Sequence, residues 1–254
     1  MRLRLLRHAT LLVDTGGRRF LVDPMLGPAG GQPPVPETPN PRPNPLVELP
    51  VQPAEALAGV EAVLLTHLHS DHVDGAGLAV LPRGLPVLCQ PNDAPMIARQ
   101  GFSDLRPLTD GAALGDVSVR RTGGRHGHGA LATEMGPVSG FVLAAEGEPT
   151  LYIAGDTVWC EEVEAAIAAH EPNVIVVNAG GARFIAGEPI TMGVEDVALV
   201  CRGAPDALVV AVHMEAVNHC VVGREELRRG LATEGLDGRV AILADGETLE
   251  ISFD

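Results

Sequence analysis

Aromatic side chains are scarce: five Phe, one Tyr and one Trp amount to 3% of 254 residues. That is too few to build a stacking platform for single-stranded nucleic acid. Positive charge is scarce too, with 18 basic residues against 33 acidic ones, a net charge of −15 and a pI near 4.9. Such a surface cannot displace counterions from a phosphate backbone, which argues against a nucleic-acid partner. The four cysteines, Cys89, Cys160, Cys201 and Cys220, are widely spaced and form no paired metal motif. Buried thiols in a reducing compartment are the default for such cysteines. No apolar run approaches the roughly 20 residues needed to cross a bilayer. Arg2, Arg4 and Arg7 imitate the basic start of a signal peptide, but His8 and Asp14 interrupt the apolar stretch and no small-residue cleavage site follows. The expectation is a cytoplasmic protein with no membrane contact. A Gly-x-Ser-x-Gly nucleophile elbow is missing as well.

What is present is one large potential core, with 46% hydrophobic residues and no linker, so a single unit over 1–254 is expected. Strand-like runs at 60–65, 86–89, 138–145, 150–154, 173–178, 207–212 and 239–252 alternate with helix-like stretches at 92–100, 159–170, 193–203 and 224–234. That alternation implies a layered α/β fold. The compositional break is at 27–53, which holds ten of the 21 prolines. So proline-rich a segment cannot be a central strand or a helix. It is expected to be an extended inserted loop, serving as a lid or pocket wall, with Arg42 as an anion contact.

The chemistry concentrates at Val63-Leu64-Leu65-Thr66-His67-Leu68-His69-Ser70-Asp71-His72. A buried strand ends there in three histidines and an aspartate. His67 and His69, two apart on extended backbone, point the same way and can converge on one cation. Asp71 and His72 fall in the turn, where alternation is lost, and can face a second cation. An open catalytic site takes about three protein ligands in all, so four donors in one segment point to two metals. Imidazole and carboxylate suit zinc first, with manganese or iron as further candidates.

Thr66-His67-Leu68-His69-Ser70-Asp71-His72 resembles the signature of the metallo-β-lactamase superfamily. Gly155-Asp156-Thr157 after a strand-like Thr150 to Ala154 resembles its bridging aspartate, and Ala211-Val212-His213 its last histidine. Between them lies Gly123-Gly124-Arg125-His126-Gly127-His128-Gly129. The resemblance implies a four-layer αββα sandwich with two divalent metal ions at one edge. His67, His69 and either His126 or His128 would hold the first ion, Asp71, His72 and His213 the second, and Asp156 would bridge them. His126 is preferred, because its context followed by Met135-Gly136-Pro137-Val138-Ser139-Gly140 resembles the ascorbate phosphate lactonase-like branch. The opening Leu5-Leu6-Arg7-His8-Ala9-Thr10, with Arg19-Phe20-Leu21-Val22-Asp23-Pro24 beyond a Thr15-Gly16-Gly17 turn, resembles the same branch. It places His8 and Asp23 near the metals, touching substrate or bracing the ligands. Glu215, Asn218 and His219 follow His213 closely enough to line one cavity.

Two such cations, about 3.5 to 4 Å apart, lower the pKa of a shared water from 15.7 toward about 7. That shift corresponds to roughly 12 kcal/mol, so a bridging hydroxide is the expected nucleophile. Asp71 and Asp156 would fix geometry and relay the proton, and His219 would stabilise an oxyanion or protonate a leaving group. The resulting expectation is a hydrolase of an ester-like bond, lactone ahead of phosphodiester, in a small molecule that the metals allow to be anionic. Alternatives within the superfamily are an iron-dependent redox enzyme and a non-catalytic metal-binding module. The lactonase-like branch often assembles, so a homo-oligomer is also among the expectations.

Overall fold

The computed structural model describes residues 1–252; the last two residues of the expected unit lie outside the described residues. Two seven-stranded sheets face each other. One runs in the order β14 (Thr248–Glu250), β1 (Arg2–Arg7), β2 (Thr10–Thr15), β3 (Arg18–Val22), β4 (Ala62–Leu64), β5 (Val87–Cys89) and β6 (Leu105–Pro107). The other runs β13 (Val240–Ile242), β12 (Leu208–Val212), β11 (Val174–Asn178), β10 (Leu151–Ile153), β9 (Gly140–Ala144), β8 (Val117–Thr122) and β7 (Gly111–Leu114). Each sheet is antiparallel at one end and parallel at the other, with β3 to β6 and β10 to β13 as the parallel halves.

The strand sequences explain the layering. Alternate residues of a strand point to opposite faces, and here both faces are apolar. Leu11, Val13, Phe20, Val22, Val174 and Val176 face the space between the sheets. Leu12, Leu21 and Val63 pack outward with Ala56 and Ile97 of α1 (Pro53–Ala56) and α3 (Ala94–Ala98), while α2 (Gly75–Val80) adds Leu78 to that layer. Ile175 and Val177 pack outward with Val163, Val197 and Leu227 of α5 (Glu161–His170), α6 (Val194–Gly203) and α7 (Arg224–Thr233). The result is the expected αββα order. Full burial of each such Val, Leu or Ile contributes about 1.5–3 kcal/mol, so the inter-sheet layer and both outer layers contribute to stability. A short helix, α4 (Gly129–Met135), buries none of its residues and lies outside these layers.

Thr15 pairs with Arg18 across Gly16 and Gly17, both at positive φ (55° and 70°), so the opening hairpin turns where glycine permits it. Residues 27–52 carry no helix or strand; the one regular feature is an isolated antiparallel bridge, Gln32 to Asn44. Residues 239–252 do not form one strand. They split at Gly246 (φ 86°) into β13 and β14, which belong to different sheets. No helix among the described residues is long and apolar enough to cross a membrane.

Candidate metal centre

The parallel strands of both sheets deliver their C-terminal ends to one place. Beyond β3 comes Asp23, beyond β4 the His67–His72 turn, beyond β10 Asp156, at the end of β11 Asn178, and beyond β12 His213. Loops at the carboxyl ends of parallel strands are where α/β sheets bind ligands. His8, from the β1–β2 turn, and His126, beyond β8, complete the ring. Backbone strain concentrates here: of six non-glycine residues at positive φ among the described residues, His8, Asp23 and His213 all lie in this cluster. Gly155 (φ 71°) precedes Asp156 where an added Cβ would lie 2.6 Å from the Ser139 carbonyl, so only glycine fits.

The donors fall into overlapping groups. His67, His69 and His126 form one; His8, Asp71, His72 and His213 form a second; His67, His72 and Asp156 connect them. Within each group, one donor atom per residue lies within 4.8 Å of the others. Asp156 Oδ2 is 3.2 Å from His72 Nε2, 3.5 Å from His126 Nε2 and 3.9 Å from His67 Nε2, while its Oδ1 is 3.2 Å from His213 Nε2. The ligands are themselves braced. Asp23 accepts from His72 Nδ1 at 2.7 Å, and the Ile190 carbonyl accepts from His126 Nδ1 at 2.8 Å. Asn178 donates to Asp156 at 2.6 Å, and His8 Nε2 lies 3.3 Å from Asp71 Oδ2.

Those outer partners assign the tautomers. With Nδ1–H of His72 and of His126 given away, each Nε2 presents a lone pair to the centre. His72 Nε2 faces His213 Nε2 at 3.1 Å, His126 Nε2 faces His69 Nδ1 at 3.2 Å, and buried His67 Nε2 has no hydrogen-bond partner. Five imidazoles converging beside a buried carboxylate, two of them with the Nδ1 proton already given away, present nitrogen donors to a common centre, so this donor set fits divalent metal ions. Burial holds His67 and His213 well below the ordinary imidazole value, keeping both neutral as ligands must be. Burial also lowers His72, but Asp156 and Asp23 outweigh it and hold it well above that value, a sign of the negative potential at the centre. For Asp71 burial opposes ionisation, yet the His8 bond and the neighbouring His72 and His219 keep its carboxyl well below the usual range.

A cavity of about 480 Å³ opens over His69, Asp71 and His219. Pro33, Pro34, Val35 and Pro36 line it, together with Met135, Phe184 and Ile190. No arginine lines it. His219 Nε2 is 3.8 Å from Asp71 Oδ2, and its buried Nδ1 has no partner.

The seven residues expected as ligands, His67, His69, Asp71, His72, His126, Asp156 and His213, are thus brought together. His128 is exposed, at the N-terminus of α4, and outside the cluster. Arg42 is exposed and does not line the cavity, which removes it as an anion contact. Glu215 also does not line it; Arg224 holds it at 2.6 Å instead. Asn218 turns to the proline-rich segment rather than to the donor cluster.

The sequence model of the beta-lactamase superfamily domain matches residues 18–214. The UPF0173 protein YddR of Bacillus subtilis is 38% identical over 98% of this chain and 99% of its own length. The chain belongs to the beta-lactamase superfamily, among its UPF0173 metal-dependent hydrolases. A UPF0173 metal-dependent hydrolase of Azorhizobium caulinodans is 30% identical over 99% of this chain and all of its own. Among solved structures, the isothiocyanate hydrolase from Delia radicum gut bacteria superposes with a TM-score of 0.95 at 37% identity, covering 100% of both chains. None of these matches singles out the ascorbate phosphate lactonase-like branch of the superfamily.

Sequence reasoning passed over Asn178 and the Ile190 carbonyl. Asn178 left a signal, since it is the one polar residue closing the otherwise apolar strand Val174–Asn178. A backbone carbonyl leaves none.

Proposed function

We propose that this hydrolase is dinuclear and uses water to attack an electrophilic carbon in a small, uncharged substrate. His67, His69 and His126 would hold one divalent ion, Asp71, His72 and His213 the other, with Asp156 shared. The observation that carries the reading is Asp156, whose two oxygens lie 3.2–3.9 Å from four imidazole nitrogens drawn from both groups. The nitrogen-rich set favours zinc, with manganese or iron as alternatives. When bound, the ions lower the pKa of a shared water and polarise the bond it attacks.

The chain's own groups do the rest. Asn178 and Asp23 keep Asp156 and His72 oriented through short hydrogen bonds. His219 lines the cavity with an unpartnered Nδ1, and burial keeps it neutral. It is therefore the group placed to move a proton from the attacking water to the departing atom. The cavity wall offers an anionic substrate no guanidinium, which favours a carbon electrophile over a phosphodiester. The full-length likeness to an isothiocyanate hydrolase makes R–N=C=S the first substrate to test, ahead of a lactone. Water adding to its carbon puts oxygen there and one proton on nitrogen. A second proton to nitrogen with cleavage of the C–N bond then releases R–NH₂ and carbonyl sulfide. The complete donor set lends no support to a non-catalytic module.

The test is elemental analysis together with turnover of allyl isothiocyanate, γ-butyrolactone and bis(p-nitrophenyl) phosphate. About two metal equivalents and hydrolysis of a carbon electrophile, both lost in Asp156→Ala, are expected. Undiminished turnover after chelation, or in Asp156→Ala, would remove the basis of the scheme.

A further inference from the structure

The proline-rich insertion looks from its composition like a loose excursion, but its hydrogen bonds make it a fixed wall. Its two ends are held by one buried guanidinium: Arg7 donates to the carbonyls of Met25 (2.9 Å), Gly27 (2.8 Å) and Val47 (3.0 Å). Its limbs pair through Gln32 and Asn44, whose backbone amides and carbonyls exchange bonds of 2.8 and 2.9 Å. Its tip is gathered by a single side chain, Asn218. The Asn218 Oδ1 accepts from Val35 N at 3.0 Å and from Asn44 Nδ2 at 2.8 Å. Its Nδ2 lies 2.6 Å from both Thr38 Oγ1 and the Asn40 carbonyl and 3.1 Å from the Val35 carbonyl, and its backbone N–H donates to Asn44 Oδ1 at 2.9 Å.

Four of these six contacts reach Val35 or Asn44, and together they set how far the Pro33–Pro36 face stands from His69, Asp71 and His219 across the cavity. Asn218 is also covalently next to His219, so the residue that places the wall sits one peptide from a group placed over the metals. We propose that Asn218 is a positioning residue, and that the Pro33–Pro36 wall it holds is the specificity surface reading an uncharged, apolar substituent on the substrate. This rests on the function proposed above. The occupant is an alkyl or aryl group, because Val35, Met135, Phe184 and Ile190 offer it apolar contact and no arginine lines the cavity. The proline rings add rigidity, since their φ is preset and the wall loses little freedom when filled.

The experiment uses a homologous series of alkyl isothiocyanates for turnover, and straight-chain alcohols of matching length for binding by calorimetry. In the wild-type enzyme, KM and the alcohol Kd are expected to fall by up to about fourfold for each methylene buried. In Asn218→Ala that dependence on chain length flattens, the amide of Val35 loses hydrogen-exchange protection, and kcat for the shortest substrate and the metal content stay within about twofold of wild type. A variant that keeps the wild-type slope, or loses kcat equally for every member, overturns the proposal. If Asn218→Ala does not fold, Val35→Ala and Val35→Phe decide the matter. Val35→Phe should penalise long chains more than short ones and Val35→Ala should relax that limit; equal profiles overturn it. A wild-type protein that turns over no member refutes the isothiocyanate reading alone, because the alcohol series still reports on the wall.

Discussion

Replacing Asp23 by Asn should separate the grip on metal from the stability of the fold. Asp23 Oδ1 accepts from the Thr66 amide at 2.8 Å, while Oδ2 accepts from Thr66 Oγ1 at 2.6 Å and from His72 Nδ1 at 2.7 Å. The residue sits at φ 45°, a conformation asparagine tolerates better than most residues. The new amide has one acceptor where the carboxylate had two. With its oxygen toward the Thr66 amide, its NH₂ meets His72 Nδ1, which must then accept. The ring proton moves to Nε2, the atom 3.2 Å from Asp156 Oδ2, and a protonated nitrogen cannot ligate. With the amide flipped, the buried Thr66 N–H loses its acceptor, at about 1–3 kcal/mol. Loss of such an outer partner weakens metal binding about 10–100-fold, or about 1.4–2.7 kcal/mol. The two arrangements are thus close in energy: the first weakens the site directly, and the second keeps the His72 tautomer only at the cost of the Thr66 amide.

Chelator competition on Asp23→Asn should show that loss for the ion held by His72, with the melting temperature changed little. Asp23→Ala is the contrast. It orphans the Thr66 amide and His72 Nδ1 together, at about 2–6 kcal/mol out of a typical 5–15 kcal/mol of stability, and so should lower the melting temperature sharply. If Asp23→Asn held both ions with wild-type affinity, the tautomer argument would be wrong.

His219→Ala should lower kcat by roughly 10²–10⁴ while elemental analysis finds the wild-type metal content; loss of metal would move His219 from proton transfer to ligation. Gly155→Ala forces a Cβ against the Ser139 carbonyl at φ 71° and should destabilise by about 1–2 kcal/mol or more, with weakened metal binding because Asp156 is the next residue; unchanged melting and metal affinity would contradict this. Metal-free protein should lose stability as pH falls through 6.5, because burial holds His8, His67, His69, His213 and His219 below that value when folded, so the unfolded chain binds more protons in that window. His72, raised in the fold, acts oppositely and loses its contribution only as pH rises through its elevated value, while Asp71 and Asp156 add their loss below about pH 4. Five groups against one set the sign, and a metal-free melting temperature that rose between pH 7 and pH 5.5 would refute it.

How much could be read from residues alone follows from how far each interaction reaches along the chain. His67 to His72 are legible because their geometry is local: a buried strand ends, and spacing alone turns two imidazoles the same way. The layered α/β order is legible in outline because strand-like and helix-like runs alternate, and its four-layer form follows from the family resemblance. Which sheet a strand joins is not written in its periodicity, so 239–252 reads as one run although β13 and β14 serve opposite sheets. Asp23 and His72 meet across 49 residues, Asp156 and Asn178 across 22, and Asn44 and Asn218 across 174. Each of these partners is an ordinary polar residue until the fold closes. The proline-rich segment shows the same limit from the other side. Its composition excludes helix and central strand, but ten prolines are equally consistent with a swinging lid. The Asn218 and Arg7 contacts, with backbone bonds to Ala216 and Ile185, make it a wall, and all of them are supplied from outside the segment. The first ligands are therefore written in a short motif, while the remaining ligands and the shape of what the cavity accepts are supplied by residues remote in sequence. Substitutions that retune the substrate should accordingly cluster around Val35 and Asn218, leaving the histidine motif untouched.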